Sequence, residues 1–568
     1  VTFDYRFGPK IESGGVRFRL WAPSAGAVDL EMEGSKPVRM TPRDKGWHEV
    51  FVACGAGTRY RFRIGDTAVP DPASRQQDGG VHGWSVVRTP VEANAWQGRP
   101  WTETVLYELH PGLEGGFAGI AQKLEGLADL GVTAIELMPV AAFPGKRNWG
   151  YDGVLPFAPA EAYGATDELR RMIAKAHALN LSVFLDVVYN HFGPDGNYLG
   201  LYAKPFFRND MHTPWGAGID FRQDEVRAFF FENATYWVHE FGFDGLRFDA
   251  VHAIREDGWL ETLARALKQG VGPDRQLHLT MENAENQSRY LRNGFDAQWN
   301  DDMHHALHVL LTGETKGYYQ DFADKPAVKL ARALAEGFVF QGEPSVVHDG
   351  GPRGTPSKDL KPKSFVSFLQ NHDQIGNRAF GDRLTVLARP EALKAAIALL
   401  LLSPQIPMLF MGEEIGSKAP FLYFTDVPPD LAEAVRKGRK REFAAFLDDA
   451  HLKTLPDPNA PETYAESDPA RDAPDAVAWR DLYRSLLTIR REKIMPGLNG
   501  AFALDANALN AKAVIARWQL DGEKVLTIAC NLGEEPVKAG LPDSDPIWGK
   551  RSRDTLAGET TLAWLESS

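Results

Sequence analysis

Apolar and polar residues alternate one by one through roughly the first ninety positions. Val16–Pro23 (VRFRLWAP), Val28–Glu33 (VDLEME), Trp47–Val52 (WHEVFV) and Tyr60–Ile64 (YRFRI) switch faces at each step, with Gly and Pro between them. A period of two is that of a half-buried strand, so this region reads as a small β-sandwich of immunoglobulin-like kind. Asp71–Ser85, rich in Gly, Asp, Ser and Gln, reads as a connector. From Val105 the texture changes to short, solid apolar runs separated by amphipathic stretches, the rhythm of a parallel sheet with crossover helices. The runs are Val105–Leu109, Thr133–Met138, Ser182–Val188, Gly245–Phe248, Leu277–Met281, Asp296–Trp299, Ser364–Leu369 and Pro407–Met411. Eight such runs are what a (β/α)8 TIM barrel needs. Asp167–Asn180 is a typical helix between them, with Asp167 expected as its N-cap.

After about residue 490 the alternation returns in Ala513–Leu520, Val525–Leu532 and Thr560–Glu566. The expected architecture is therefore multi-domain: a β-sandwich over 1–90, the barrel over 91–490 with a short insert at about 192–225, and a C-terminal β-sandwich domain over 491–568. The insert carries Tyr198, Tyr202, Phe206, Phe207 and Trp215, and a second long Gly/Pro-rich loop spans Gln341–Lys363. Loops of this kind on a barrel's top face shape a cleft.

Charge narrows the partners. A net charge of −13 argues against nucleic acid and anionic membranes and suits a neutral substrate such as a sugar. The 14 Trp supply more rings than a core alone calls for, and aromatic rings stack on the C–H faces of sugars. Two cysteines, Cys54 and Cys530, fall at opposite ends of the chain, which predicts no disulfide framework and a cytoplasmic, reducing location. The N-terminal VTFDYRFGPK has no apolar h-region, and the longest apolar run, Ala395–Leu402, is too short to span a bilayer. Oligomeric state is not legible.

Three acids then stand out: Asp249 in GFDGLRFDAVH, Glu282 in LHLTMEN and Asp373 in FLQNHDQ. Each closes, or follows closely, an apolar run, and in a parallel barrel the C-terminal strand ends converge on one site. Carboxylates gathered there suit a developing positive charge, as in the oxocarbenium-like transition state of glycosidic cleavage. Asp249 fits a nucleophile; Arg247, two residues earlier and on the same strand face, would keep it ionised. Glu282 fits the general acid/base, with a pKa raised by burial and by its neighbours. Asp373 would bind sugar hydroxyls and favour the charged, distorted ring, while His191 and His372 would donate hydrogen bonds there.

Asp186–His191 (DVVYNH), Gly242–His252, Met281–Asn283 and Gln370–Gln374 (QNHDQ) resemble, in order and spacing, the four short motifs of the α-amylase superfamily, glycoside hydrolase family 13. The resemblance implies the same three roles for Asp249, Glu282 and Asp373. It also implies sugar-binding positions at Arg247, His191, His252, His372 and Gln374. IELMPVAAFPGKRNWGYDGVLPFAP, DAQWNDDMHHALHVLLTGE and LSPQIPMLFMGEE resemble the maltooligosyltrehalose trehalohydrolase branch. That branch hydrolyses the α-1,4 bond next to a terminal trehalose and releases trehalose. It implies a stacking role for Tyr151 with Asp152 beside it, although NWGYDG also reads as a plain turn. Trp215, Glu285 and Glu256 become contacts for the trehalose end, with packing or surface roles as the alternative for Trp215 and Glu285.

Some features depart from the pattern. His110–Gly119 is shorter than the corresponding loop usually is, and the nucleophile motif ends DAVH without the amylase-type lysine. Asn190 holds a position that binds calcium in many amylases. The short insert lacks the six to eight oxygens a hard cation takes, so no metal and no cofactor are expected and Asn190 reads as structural. The alternatives are α-1,4-glucan branching, α-1,6 debranching, or a non-catalytic glucan-binding barrel; the presence of all three carboxylates speaks against the last.

Overall fold

The computed structural model describes residues 3–91, 95–213, 216–444, 447–551 and 554–567. Eight parallel strands close a barrel in chain order: β1 (Leu106–Leu109), β2 (Ala134–Leu137), β3 (Ser182–Val187), β4 (Gly245–Phe248), β5 (His278–Met281), β6 (Ala297–Trp299), β7 (Phe365–Ser367) and β8 (Ile406–Phe410), with β8 pairing back onto β1. Each expected run carries one strand. The runs are solid rather than alternating because both faces are covered, outside by helices and inside by packed side chains. Register places charges side by side within this interior. Glu108 pairs with Glu136, and Asp186 pairs with Arg247, which pairs with Thr280.

Four sequence expectations change. Helix α1 spans Thr166–Ala178 with Ala165, not Asp167, at its N-cap. Glu168 reaches back to accept the Ala165 N–H at 2.9 Å, and Asp167 instead pairs with Arg88. The Asp71–Ser85 segment is no loose connector: Gln77–Asp78 pairs with Trp84–Val86 in the second sheet of the sandwich. Its polar residues bond internally, as when buried Asp71 accepts the Tyr60 hydroxyl at 2.7 Å. In the insert, Tyr202 and Phe206 do not wall a cleft. Both are buried, and Phe206 packs between Trp21 of the sandwich and Phe229 of α2 (Asp224–Tyr236). Lastly, α3 (Asp301–Thr312) follows β6 directly, but Asp373 lies well past the end of β7, in a one-turn helix α4 (His372–Gly376). Asn371 caps that turn by accepting the Gln374 N–H at 2.9 Å, which converts NHDQ from strand tip to helix.

The sandwich docks on α2, where Glu232 accepts the backbone N–H groups of Arg6 and Phe7 at 2.9 and 3.0 Å. The C-terminal sheet (Phe502–Ala508, Ala513–Leu520, Lys524–Asn531 and Thr560–Ser567) is antiparallel. Its Thr561 hydroxyl donates to the Ala395 carbonyl of α5 (Pro390–Leu402) at 2.7 Å. Cys54 and Cys530 are both free thiols. Among the described residues no helix is long and apolar enough to cross a membrane.

Candidate active site

The site is organised by one arginine. Arg247 is fully buried near the C-terminal end of β4, and its guanidinium lies 4.0 Å from the centre of the Trp299 ring. Its Nη1 donates to Asp249 Oδ1 and Asp186 Oδ2, both at 2.8 Å, and its Nη2 donates to Glu282 Oε2 at 2.7 Å. A buried guanidinium needs such partners, and its planar fork suits several carboxylates at once. Asp249 and Glu282 each follow their strand by one residue. Asn190 fixes the second oxygen of Asp249, donating to Oδ2 at 2.7 Å and to the Asp249 carbonyl at 2.9 Å. Asn190, expected to be structural, thus has a definite supporting contact: its amide holds the Asp249 carboxylate. Ala250, next in the chain, has φ of 40°, a left-handed conformation costing on the order of 1 kcal/mol or more for a residue with a Cβ. That turn aims its N–H at Glu282 Oε2 at 3.2 Å.

The two carboxyls are pushed apart in acidity. Burial pushes Asp249 up, but Arg247, His191 and the Asn190 bond together outweigh it and hold the group below the usual carboxylate range. Burial likewise raises Glu282. There Asp249, Asp373 and Asp301 add to burial against the pull of Arg247, so this carboxyl rests well above its ordinary value. Asp186 is pushed up to about 7, first by burial. One carboxyl held low beside one held high is the arrangement that acid/nucleophile chemistry uses.

The remaining expected residues divide into two groups. Close to the carboxylates, the Tyr151 hydroxyl donates to Asp186 Oδ2 at 2.5 Å and its ring stacks on His372 at 5.0 Å. His191 meets the Tyr151 carbonyl at 2.9 Å and the Asn190 side chain. Asp152 accepts the Asn148 amide at 2.6 Å. Asp373 Oδ1 is 3.5 Å from His372 Nε2, and its side chain is one-third exposed. Gln374 reaches Asp301 at a long 3.4 Å. On the rim, His252 accepts the Ala284 N–H at 3.3 Å, Glu285 lies 3.7 Å from Arg255, and Glu256 lies 4.0 Å from Arg227 of α2. No polar contact among the described residues joins Glu256 to the carboxylate cluster. Trp215 lies outside the described residues. The Gln341–Lys363 loop folds into a small strand pair whose Arg353 bonds the Ala284 carbonyl at 2.9 Å and Asp302 at 3.0 Å, tying down the segment that carries Glu285. Sequence reading missed Asp186, Trp299, Asp301 and Glu108. For Glu108 and Asp186 the signal available was a charge inside an otherwise apolar strand, as in VLYEL. Among the described residues no group of three or more His, Cys, Asp or Glu could hold a metal ion.

The chain matches three family models in succession. They are the carbohydrate-binding module 48 or isoamylase N-terminal domain at residues 6–78, the α-amylase catalytic domain at 73–204, and a domain of unknown function, DUF3459, at 501–564. The malto-oligosyltrehalose trehalohydrolase of Rhizobium sp. (strain M-11) is 41% identical over 93% of this chain and 93% of its own. That of Saccharolobus solfataricus is 40% identical over 86% and 87%. The solved structure of a Salmonella typhimurium protein, provisionally assigned as an α-amylase, superposes with a TM-score of 0.92 at 43% identity, covering 99% of this chain and 100% of its own. The chain belongs to the malto-oligosyltrehalose trehalohydrolase family of the α-amylase superfamily.

Proposed function

We propose that this glycoside hydrolase cleaves the α-1,4-glucosidic bond next to the terminal trehalose of maltooligosyltrehalose, with retention, and releases trehalose. The observation that carries the chemistry is the sharing of one buried guanidinium by Asp249 and Glu282. Such sharing supports the close spacing of retaining enzymes, roughly 5–5.5 Å between carboxyls. Asp249 attacks the anomeric carbon. Glu282, held as the acid, protonates the departing trehalose oxygen. Its Oε2 is taken by Arg247 and the Ala250 N–H, which leaves Oε1 to carry the proton. Water, deprotonated by Glu282, then opens the glycosyl-Asp249 ester. Asp373 and His372 bind the hydroxyls of the distorted sugar, and Tyr151, His191, Asp152 and Gln374 complete that subsite. His252, Glu285 and Trp215 contact the trehalose end. On this reading residues 1–90 are a glucan-facing module, 91–490 the catalytic unit and 491–568 a supporting β-domain, in a protein of the cytoplasm.

Product analysis tests the substrate assignment. Incubation with maltooligosyltrehalose should yield trehalose and the shortened maltooligosaccharide, and glycogen should keep its branch content. Changed branching without trehalose would move the protein to the branching or debranching alternative.

A further inference from the structure

Two carboxylates in the barrel interior have no task in the chemistry above. Glu108 on β1 and Glu136 on β2 are neighbours in register, and both are about 1% exposed. Their partners differ. Glu108 accepts the His372 backbone N–H at 3.1 Å through Oε2 and meets the ring Nδ1 at 2.5 Å through Oε1. Neither oxygen of Glu136 has a hydrogen-bond partner among the described residues. The other ring nitrogen of His372, Nε2, faces Asp373 Oδ1 at 3.5 Å. A neutral imidazole would set its one acceptor nitrogen against a carboxylate oxygen, whereas the imidazolium offers a proton to each side. The ring is also fixed in place, edge-on to Trp149 at 5.7 Å and stacked on Tyr151 at 5.0 Å.

We propose that Glu108 is a positioning residue that pins His372 from below as an imidazolium against Asp373, so that both present fixed partners to the bound sugar. The proposal rests on the reading of His372 and Asp373 as sugar-binding residues. The charged and titratable groups facing His372 are Glu108, Asp373, Glu136 and Asp186 on the acidic side and Arg247 and His110 on the basic side. Burial and Arg247 oppose a charge on the ring, but Asp373 and Glu108 outweigh them and carry it from the ordinary 6.5 up to about 9. Glu136 goes the other way from a normal acid. Burial, then Glu108 and Asp186, drive it well above the usual range.

The test is a pH profile of kcat/KM on maltooligosyltrehalose with the full chain. Glu108→Gln removes the anion but keeps the shape. His372 then loses its proton at lower pH, and the alkaline limb should move down by at least about one pH unit. Glu136→Gln should move neither limb. With His372→Gln as background, Glu108→Gln should add no further shift. Because Glu282 as general acid also sets the alkaline limb, the His372 titration in Glu108→Gln is read directly by side-chain nitrogen NMR; an unmoved His372 titration, or a limb shift that persists without His372, overturns the proposal. Asp373→Asn separates the two readings: if it leaves activity intact, the sugar-binding assignment fails, whereas a large loss beside an unmoved His372 titration in Glu108→Gln rejects only the positioning role. Should Glu108→Gln fail to fold, side-chain nitrogen NMR of the parental protein decides, with His372 identified by its loss in His372→Gln. The ring should stay doubly protonated to beyond pH 8; a neutral ring at pH 7 overturns the proposal.

Discussion

The floor of the cleft and its rim are held in different ways. On the floor, Arg247 is fully buried and grips Asp186, Asp249 and Glu282 at 2.7–2.8 Å, with Asn190 closing the last oxygen of Asp249. On the rim, Glu285 and Glu256 meet partly exposed arginines only at 3.7 and 4.0 Å, and Glu285 also accepts the Gln287 amide at 2.7 Å. Tight, buried, charge-assisted bonds fix a geometry before substrate arrives, and loose, solvated ones do not. The difference teaches where each property resides. On the proposed function, bond-breaking is built into the floor and discrimination among glucan ends falls to the more weakly held rim.

The hardest way to break the floor is to remove what it presents. Asp249→Ala should cut kcat on maltooligosyltrehalose by at least about four orders of magnitude, since no other group replaces a covalent nucleophile. Glucan binding, followed by isothermal titration, should persist. Near-parental turnover would strip Asp249 of its role.

Next comes the hub. Arg247→Ala leaves the buried Asp186 and Asp249 and the part-buried Glu282 facing one another. Breaking a buried ion pair costs about 3–5 kcal/mol, so the thermal midpoint should fall by many degrees along with activity. The effect has a pH signature. Asp249 is held low and therefore contributes stability above its unfolded pKa that is lost as pH falls through its folded value. Without Arg247 that contribution is gone, so the gap between variant and parent should narrow as pH falls from about 4 down through the lowered folded pKa. A gap that is constant with pH would mean that Arg247 acts by packing alone.

A milder change loosens one bond. Asn190→Ala removes a donor to the ionised form of Asp249, so the Asp249 pKa rises and the acid limb of kcat/KM should shift upward by about one unit. The alkaline limb should stay in place. An acid limb that does not move would mean that Asn190 holds Asp249 in place without tuning its acidity.

How much of this could be read from sequence follows the same division. The eight barrel strands were legible because burial on both faces leaves solid apolar runs with Gly, Pro and polar residues between them. Asp249 and Glu282 were legible because each stands one residue past such a run. Asp373 was legible as chemistry but misplaced as a strand tip, because the Asn371 cap that makes its helical turn is a side-chain bond with no periodic signature. Asp71–Ser85 was misread since its polar residues satisfy one another inside the fold rather than meeting water. The three-way grip of Arg247 could not be read at all. It depends on the register that brings β3, β4 and β5 side by side, and register is a property of the closed barrel.

The smallest expected effects lie on the rim, where they sharpen the comparison most. His252, which feels both Asp249 and Glu285, accepts the N–H of Ala284 beside Glu285, and Arg353 anchors that loop through the Ala284 carbonyl. Glu256 instead faces Arg227 on α2. If the trehalose end is read by Glu285 and not by Glu256, Glu285→Gln should raise KM for maltooligosyltrehalose by roughly fivefold, about 1 kcal/mol, with kcat little changed, as expected when a uniform binding contact is lost. Glu256→Gln should stay within about twofold on both parameters, since a loose, partly exposed pair contributes little. Equal effects from the two variants would erase the distinction between them. A kcat loss from Glu285→Gln as large as that of a floor variant would mean that rim and floor work as one unit.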